Sequence, residues 1–439
     1  MCWTCSRMAC CSAVCAFFFI WTFYPALVSW PGVLQEVMDS FCPKPNILSN
    51  FGFIIHIRLQ ENRDMTTSLY IDPASGRTYP LDVPRWCSDD RKPLLVTPQP
   101  GMSRDDIDRT CRSQWRYRAS LPLDVARPIS MGEGCTPLVQ KEWGAHRPYF
   151  KLEWFHPTGS FKDRGTTVML SVLRQQGVDA VLEDSSGNGG ASVSAYGAAG
   201  GMRVKILAPA YASKPKIAQM RAYGAEVQLV DGPRQACEDE AVRQSAHIFY
   251  SSHNWQPFFL EGTKAIGYEI WEDLNFRAPD NIVMPAGAGS NVLGCFMAFS
   301  ELLRAGQIAK MPRLFVCQPL NCSPIDASFQ AGVTTPVARE VRKTVAEGTA
   351  IAHPLRLREL VSAVQVTGGA TVALQEQAIV DAFRKAARTG LLPELTSATA
   401  IAGLDHLIQA GTVHESEETV VILTATGIKN ADAIAEMFA

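Results

Sequence analysis

Lys162 sits in the tract Pro157-Thr158-Gly159-Ser160-Phe161-Lys162-Asp163-Arg164-Gly165, a turn that opens a helical stretch. A lysine amine held neutral can condense with a carbonyl carbon and shuttle protons, and burial against Phe161 beside a cation such as Arg164 would favour that form. Two glycine-rich loops lie downstream. Ser185-Ser186-Gly187-Asn188-Gly189-Gly190 follows the apolar run Ala180–Leu182, and Pro285-Ala286-Gly287-Ala288-Gly289-Ser290-Asn291 follows Asn281–Met284. Each loop runs into an apolar helical stretch, so free backbone N–H groups at a helix start face it and suit a phosphate. One such loop is weak evidence. A lysine and two loops, each in strand–loop–helix context, point to a ligand carrying both a carbonyl and a phosphate.

Each residue also has a plainer reading. Thr158 and Ser160 sit where a helix N-cap is wanted. Asp163 and Arg164 can pair on the first helical turn. Asn188 between glycines is a good left-handed turn residue, and Thr424 after Val420–Leu423 is an ordinary strand-end threonine.

The surrounding pattern supplies the frame. Strands are expected at Tyr149–Leu152, Ala180–Leu182, Val204–Leu207, Glu226–Leu229, Ile248–Tyr250, Asn281–Met284, Leu314–Cys317 and Val420–Thr424. Helices are expected at Thr166–Gln176, Ala191–Ala199, Lys214–Tyr223, Ala265–Asn275 and Val292–Ala305. This alternation is that of an α/β protein whose parallel sheets are covered on both faces. Residues 65–130 read as an irregular arm with one helix around Arg104–Tyr117. Between Gly201 and Gly232 a strand–helix–strand unit lacks GxGxxG and an acidic residue for a ribose, which excludes a nucleotide site there.

These tracts resemble fold-type II pyridoxal-phosphate enzymes, and among them the threonine synthase family. Pro157–Gly165 is similar to that family's Schiff-base lysine motif, Asn188 to its asparagine loop and Gly287–Asn291 to its phosphate loop. Trp115–Leu121, Glu261–Glu269, Glu347–Pro354 and Thr424–Gly427 add to the likeness, which runs from about Asp72 to the C-terminus. The resemblance implies a two-lobe fold like the tryptophan synthase β-subunit, with parallel-rich sheets flanked by helices and the active site between the lobes. Residues 65–149 with 264–439 would form the larger lobe, and 150–263 the smaller one carrying Lys162 and Asn188.

The resemblance further implies pyridoxal 5'-phosphate as cofactor, with Lys162 as its imine partner and the catalytic base. Gly287, Ala288, Gly289, Ser290 and Asn291 would surround the phosphate, and Asn188 would donate to the phenolic oxygen. Thr424 would face the pyridine nitrogen; a neutral hydroxyl there suits elimination and replacement at the side chain. Ser185 and Ser186 are candidates for the substrate carboxylate, and Arg164 and Lys264 for a substrate phosphate. The implied reaction turns O-phospho-L-homoserine and water into L-threonine and phosphate, in a cytoplasmic homodimer. The alternative is an ammonia-lyase of the threonine/serine dehydratase or diaminopropionate type on a small amino acid, because His156 stands where the family usually has Asn and no basic cluster for a phosphate is obvious.

Composition agrees with a small-molecule enzyme. A chain of 439 residues, 47% hydrophobic, builds more than one lobe. A formal net charge of −2 excludes an electrostatic nucleic-acid binder. Cys2 and Cys5 form a CxxC with no second pair at metal spacing, and the arm has only Cys87 and Cys111, so no metal is expected. The scattered later cysteines read as reduced, buried thiols. Residues 1–64 stand apart: Met8 to Gln35 carries no charge and is rich in aromatics, long enough for an anchor. Ordinary composition begins at Met65, so the expectation is an over-long start outside the family region rather than a membrane segment.

Overall fold

Short apolar, β-branched runs bounded by Gly and Pro make the strands, and the longer periodic runs between them make the helices. The computed structural model describes residues 68–212 and 214–438. The expectations for residues 1–64, anchor included, fall outside that range. Among the described residues no helix is long and apolar enough to cross a membrane.

The arm begins with β1 (Leu69–Ile71), β2 (Thr78–Pro80) and β3 (Leu95–Val96), an antiparallel sheet in the order β2-β1-β3. The helix expected at Arg104–Tyr117 is instead two short 3-10 turns, Arg104–Asp106 and Gln114–Ser120, each capped by a serine. Ser103 and Ser113 hold the N–H groups two residues on, and that local competition stops a continuous α-helix.

Next come β4 (Leu138–Gln140), β5 (Tyr149–Leu152), β6 (Ala180–Glu183), β7 (Arg203–Pro209), β8 (Glu226–Val230) and β9 (Phe249–Tyr250). The chain then adds β10 (Asn281–Pro285), β11 (Arg313–Pro319), β12 (Ala370–Leu374) and β13 (Thr419–Leu423). Six strands form one sheet in the order β12-β11-β10-β13-β5-β4, parallel except for the edge strand β4. Four form an all-parallel sheet, β8-β7-β6-β9. Every strand expected in the sequence is present. β12 went unread because Gly368-Gly369 and alternating Ala leave little apolar signal in Ala370–Leu374.

β5 pairs with β13 in the larger sheet, so the strands of the smaller sheet start only at Ala180. Helices cover both faces of each sheet. Ile282, Met284, Val420 and Ile422 face one core with Trp271, Phe299 and Leu360. Val283, Val421 and Leu423, pointing the other way, pack with Phe383, Ile401 and Leu404. Val181 and Ile206 of the smaller sheet pack with Leu170, Tyr196 and Phe258. Alternate residues of one strand thus feed two cores, which explains near-continuous apolar runs. Of the thiols, Cys237, Cys295, Cys317 and Cys322 are buried and free, whereas Cys135 is exposed.

Candidate active site

The helix expected to start at Thr166 starts at Lys162 and runs to Gln175. Its cap is not the expected one. Phe161 occupies the N-cap without a side-chain bond, and the Ser160 hydroxyl is buried and unpartnered. The turn is held from the other side: the Asp163 carboxylate accepts from the Thr158 N–H at 2.8 Å and its hydroxyl at 2.6 Å. Ser192, on the helix that follows the asparagine loop, donates to the same carboxylate at 2.6 Å. The Phe161 N–H donates to the Thr424 carbonyl at 2.9 Å, and Ser160 bridges Ala425.

Lys162 is half-buried, with its amine 4.7 Å from the centre of the Phe161 ring and 5.5 Å from that of Phe259. Burial drags it down to about 8, against an upward pull from the Glu183 and Glu394 carboxylates. Arg164 plays no part in this, contrary to the sequence expectation. Its guanidinium is wholly buried on Glu153 at 2.7 Å and Glu269 at 2.8 Å, and it does not pair with Asp163. Lys151 joins Glu269 at 2.8 Å and Asp273 at 2.6 Å, so both cations are held by carboxylates.

The same network absorbs His156. The Gly134 N–H donates to its Nδ1 at 3.4 Å, and its Nε2 then donates to Glu153 at 3.2 Å. Lys264 is likewise buried, on Glu261 at 2.6 Å and Glu301 at 2.9 Å. Arg164 and Lys264 are therefore withdrawn as phosphate contacts. A cation satisfied by buried carboxylates has neither the reach nor the free donors for a second anion. Sequence reasoning could not separate a cleft cation from a core one, because burial is not visible in the sequence and Glu269 and Glu301 are brought in only by folding.

The strand end of β6 delivers the asparagine loop. Ser185 Oγ accepts from the Gly187 N–H at 3.3 Å, Ser186 is half-buried, and a helix starts at Asn188. Asn188 donates its side-chain amide to Glu394 at 3.2 and 3.4 Å. Thr424 donates to the same carboxylate at 3.3 Å and lies 2.8 Å from the Ser397 hydroxyl. Glu394 thus joins the loop of one sheet to a strand end of the other, and burial raises its carboxyl. It was missed in the sequence. Its only signal is an acidic residue ahead of the apolar helix Leu395–Gln409, which reads as a cap.

Gly287–Asn291 leads into the helix Ser290–Arg304, with Gly289 in the left-handed region at φ 81°. Among the described residues, the N–H groups of Gly287 through Val292 donate to no protein acceptor. Asn291 Oδ1 is buried and also unpartnered. Six clustered free donors at a helix start form an anion cradle, which fits a phosphate. Gly287 packs so closely on Gly348 and Thr349 that a Cβ would stand 2.9 Å from the Thr349 Cα. Gly348 in turn donates to Thr396 at 3.1 Å, two residues from Glu394, which links the cradle to the carboxylate.

Comparison with known proteins agrees with this arrangement. Residues 129–425 match the model of the pyridoxal-phosphate dependent enzyme family. The threonine synthase of Methanocaldococcus jannaschii is 34% identical over 73% of this chain and 81% of that protein. The threonine synthase of Synechocystis is 31% identical over 73% of this chain and 85% of its own length. Among solved structures, maize serine racemase superposes with a TM-score of 0.59 at 20% identity, covering 69% of this chain and 91% of its own. Threonine deaminase isoform 2 of Solanum lycopersicum gives 0.57 at 22%, covering 68% and 87%. With a half-buried lysine, two glycine loops and two parallel-rich sheets in the expected order, the chain belongs to the fold-type II pyridoxal-phosphate dependent enzyme family, with threonine synthases among its relatives.

Proposed function

We propose that this protein is a threonine synthase, converting O-phospho-L-homoserine and water into L-threonine and phosphate. The observation that carries the reading is Lys162: an amine within 5.5 Å of the centres of two phenyl rings, brought down to about 8, and preceded by a residue hydrogen-bonded to Thr424 just past β13. The threonine synthases among its relatives support the substrate.

In this reading Lys162 would hold the cofactor carbonyl and the free N–H groups of Gly287–Asn291 its phosphate. Asn188 and Thr424, which donate to Glu394 in this structure, would turn to the phenolic oxygen and the ring nitrogen. The cofactor, when bound, supplies an electron sink for the pair released at Cα. The rest falls to the chain. Lys162, displaced by the substrate's amine, removes the Cα proton and assists proton movement at Cβ. Ser185 and Ser186 orient the substrate carboxylate at the helix start, and the Phe161 and Phe259 rings keep water from the amine. Phosphate leaves Cγ with the electron pair of the Cγ–O bond after the Cα and Cβ protons are removed. A proton then returns to Cγ, the water's hydroxyl adds at Cβ and a proton returns to Cα, which gives threonine.

The division into a lobe of 65–149 with 264–439 and a lobe of 150–263, the homodimer and the cytoplasmic location belong to the same proposal. Sedimentation and cell fractionation test the last two. A second reading, an ammonia-lyase on threonine, serine or a diamino acid, is favoured by one observation. Both cations expected for a substrate phosphate are spent on carboxylates. Incubation with phosphohomoserine and, separately, with threonine separates the two. Inorganic phosphate with threonine supports the first reading; 2-oxobutyrate from threonine without phosphate release from phosphohomoserine overturns it.

A further inference from the structure

Glu183 ends β6 just ahead of the asparagine loop, and its carboxyl is wholly buried. His253 follows β9 and is tied to it twice. Its ring Nδ1 lies 2.9 Å from Oε1, and its backbone N–H donates to Oε2 at 3.1 Å. The ring Nε2 has no hydrogen-bond partner among the described residues, although the residue is only 8% exposed. That residual exposure leaves Nε2 open to a ligand or to water, while the rest of the ring is fixed. An imidazole with one nitrogen fixed by an acid and the other free is the form of a proton-transfer group.

Two contacts put this ring at the site. A Cβ on Gly189 would meet the His253 Cε1 and Nδ1 at 2.8 Å, so the imidazole lies directly against the loop carrying Asn188. The ring also packs edge-on against Phe259, centroids 5.4 Å apart, and Phe259 is the wall beside the Lys162 amine. Lys162 and His253 share one aromatic partition.

The charges around the pair favour its neutral form. Burial and Asp184 push the Glu183 carboxyl well up, against Arg234 and Lys162. Burial, Lys162 and Arg234 hold the imidazole well down, against Asp184, which is itself paired with Arg234 at 2.8 Å. Both directions favour the uncharged pair, in which the carboxyl donates to Nδ1 and Nε2 carries the ring hydrogen.

We infer that His253 is a second proton-transfer residue of this site, its Nε2–H serving the oxygen that leaves the substrate's side chain, with Glu183 as the positioning residue that fixes the tautomer. The inference rests on the proposed lyase chemistry, and that oxygen is a phosphate ester in the first reading and a hydroxyl in the second. As Nε2–H breaks, the leaving O–H forms and the Glu183 proton passes to Nδ1. The pair regains its proton from water.

The test compares the wild-type holoenzyme with His253→Gln, Glu183→Gln and Glu183→Leu, after checking cofactor absorbance and melting. His253→Gln should exchange the Cα proton into heavy water at the wild-type rate, because that step belongs to Lys162, while product release falls at least about 100-fold. Glu183→Gln should keep the Nε2–H tautomer, since an amide N–H still donates to Nδ1, but its product release should fall as far as that of His253→Gln because an amide passes no proton on. Glu183→Leu should lose the tautomer as well. Nitrogen NMR of the wild type should show His253 as the Nε2–H form throughout the neutral range. Product release within twofold in His253→Gln, exchange and release falling together, or an Nδ1–H tautomer would each overturn the inference. A wild type that turns over neither amino acid sinks the substrate reading instead, and the tautomer then decides the matter by itself.

Discussion

The Phe161 N–H donates to the Thr424 carbonyl at 2.9 Å, binding the residue before the lysine to the last strand of the larger sheet. One hydrogen bond thus fixes the lysine turn relative to the Thr424 hydroxyl, although the two lie at opposite ends of the family region. The consequences are measurable.

Replacing Lys162 by Met should abolish turnover and the visible absorbance of the bound cofactor. It should also stabilise the cofactor-free protein by about 1–3 kcal/mol near neutral pH, because a buried charge is removed. Urea unfolding and an absorbance spectrum read both effects. Loss of stability instead would mark the lysine as structural.

The lysine's pH behaviour has a defined sign. Its folded value, about 8, lies below its unfolded one. The unfolded chain therefore holds more protons between about pH 8 and about pH 10.4, stability of the cofactor-free protein rises across that window, and the penalty is complete below it. Recombination with the cofactor's aldehyde should accelerate roughly ninefold from about pH 7 to about pH 9 as the neutral amine grows from about 10% to about 90%. A midpoint above about pH 10 would show that burial does not tune this amine.

Asp163→Ala removes the acceptor shared by Thr158 and Ser192. The Thr158 N–H and hydroxyl lose their partner while Ser192 keeps Thr166, so the protein should lose about 2–4 kcal/mol by denaturant titration. Its residual activity should fall more than its substrate affinity, because the turn that aims Lys162 loosens.

Arg164→Met and Lys264→Met should act on stability, not on phosphate recognition. Arg164→Met leaves buried Glu153 without its guanidinium while Glu269 keeps Lys151, and Lys264→Met strips the cation from Glu261 and Glu301, each a loss of about 3–5 kcal/mol. In whatever fraction folds, KM for a phosphorylated substrate should be within about threefold of wild type. A KM rise above about tenfold with normal melting would return these cations to the cleft.

Gly289→Ala should lose cofactor affinity at least about tenfold. Gly289 sits at φ 81°, where a side chain is strained by about 1–2 kcal/mol, and its added methyl meets Leu360. Equilibrium dialysis against the cofactor measures the change.

How far the site was legible varied by residue. Lys162, Asn188, Gly287–Asn291 and Thr424 each sit at a strand end or helix start, which period and turn chemistry mark locally. Arg164 and Lys264 looked like cleft cations because a sequence shows charge without burial. Glu394, Glu183 and His253 went unread because each acts through partners brought close only by folding. Asn188 and Glu394 meet at 3.2 Å from different sheets.

The sequence by itself determined the alternation of strands and helices, the two loops with free N–H groups, and the lysine that opens a helix. These follow from contacts within a few residues, where backbone geometry and side-chain period are enough. Only the tertiary structure decided which charges are spent in the core, which carboxylates face the lysine, and which imidazole nitrogen is left free. Those depend on burial and on distances between remote segments, and a charged group's chemistry is set by the dielectric and the partners it meets there.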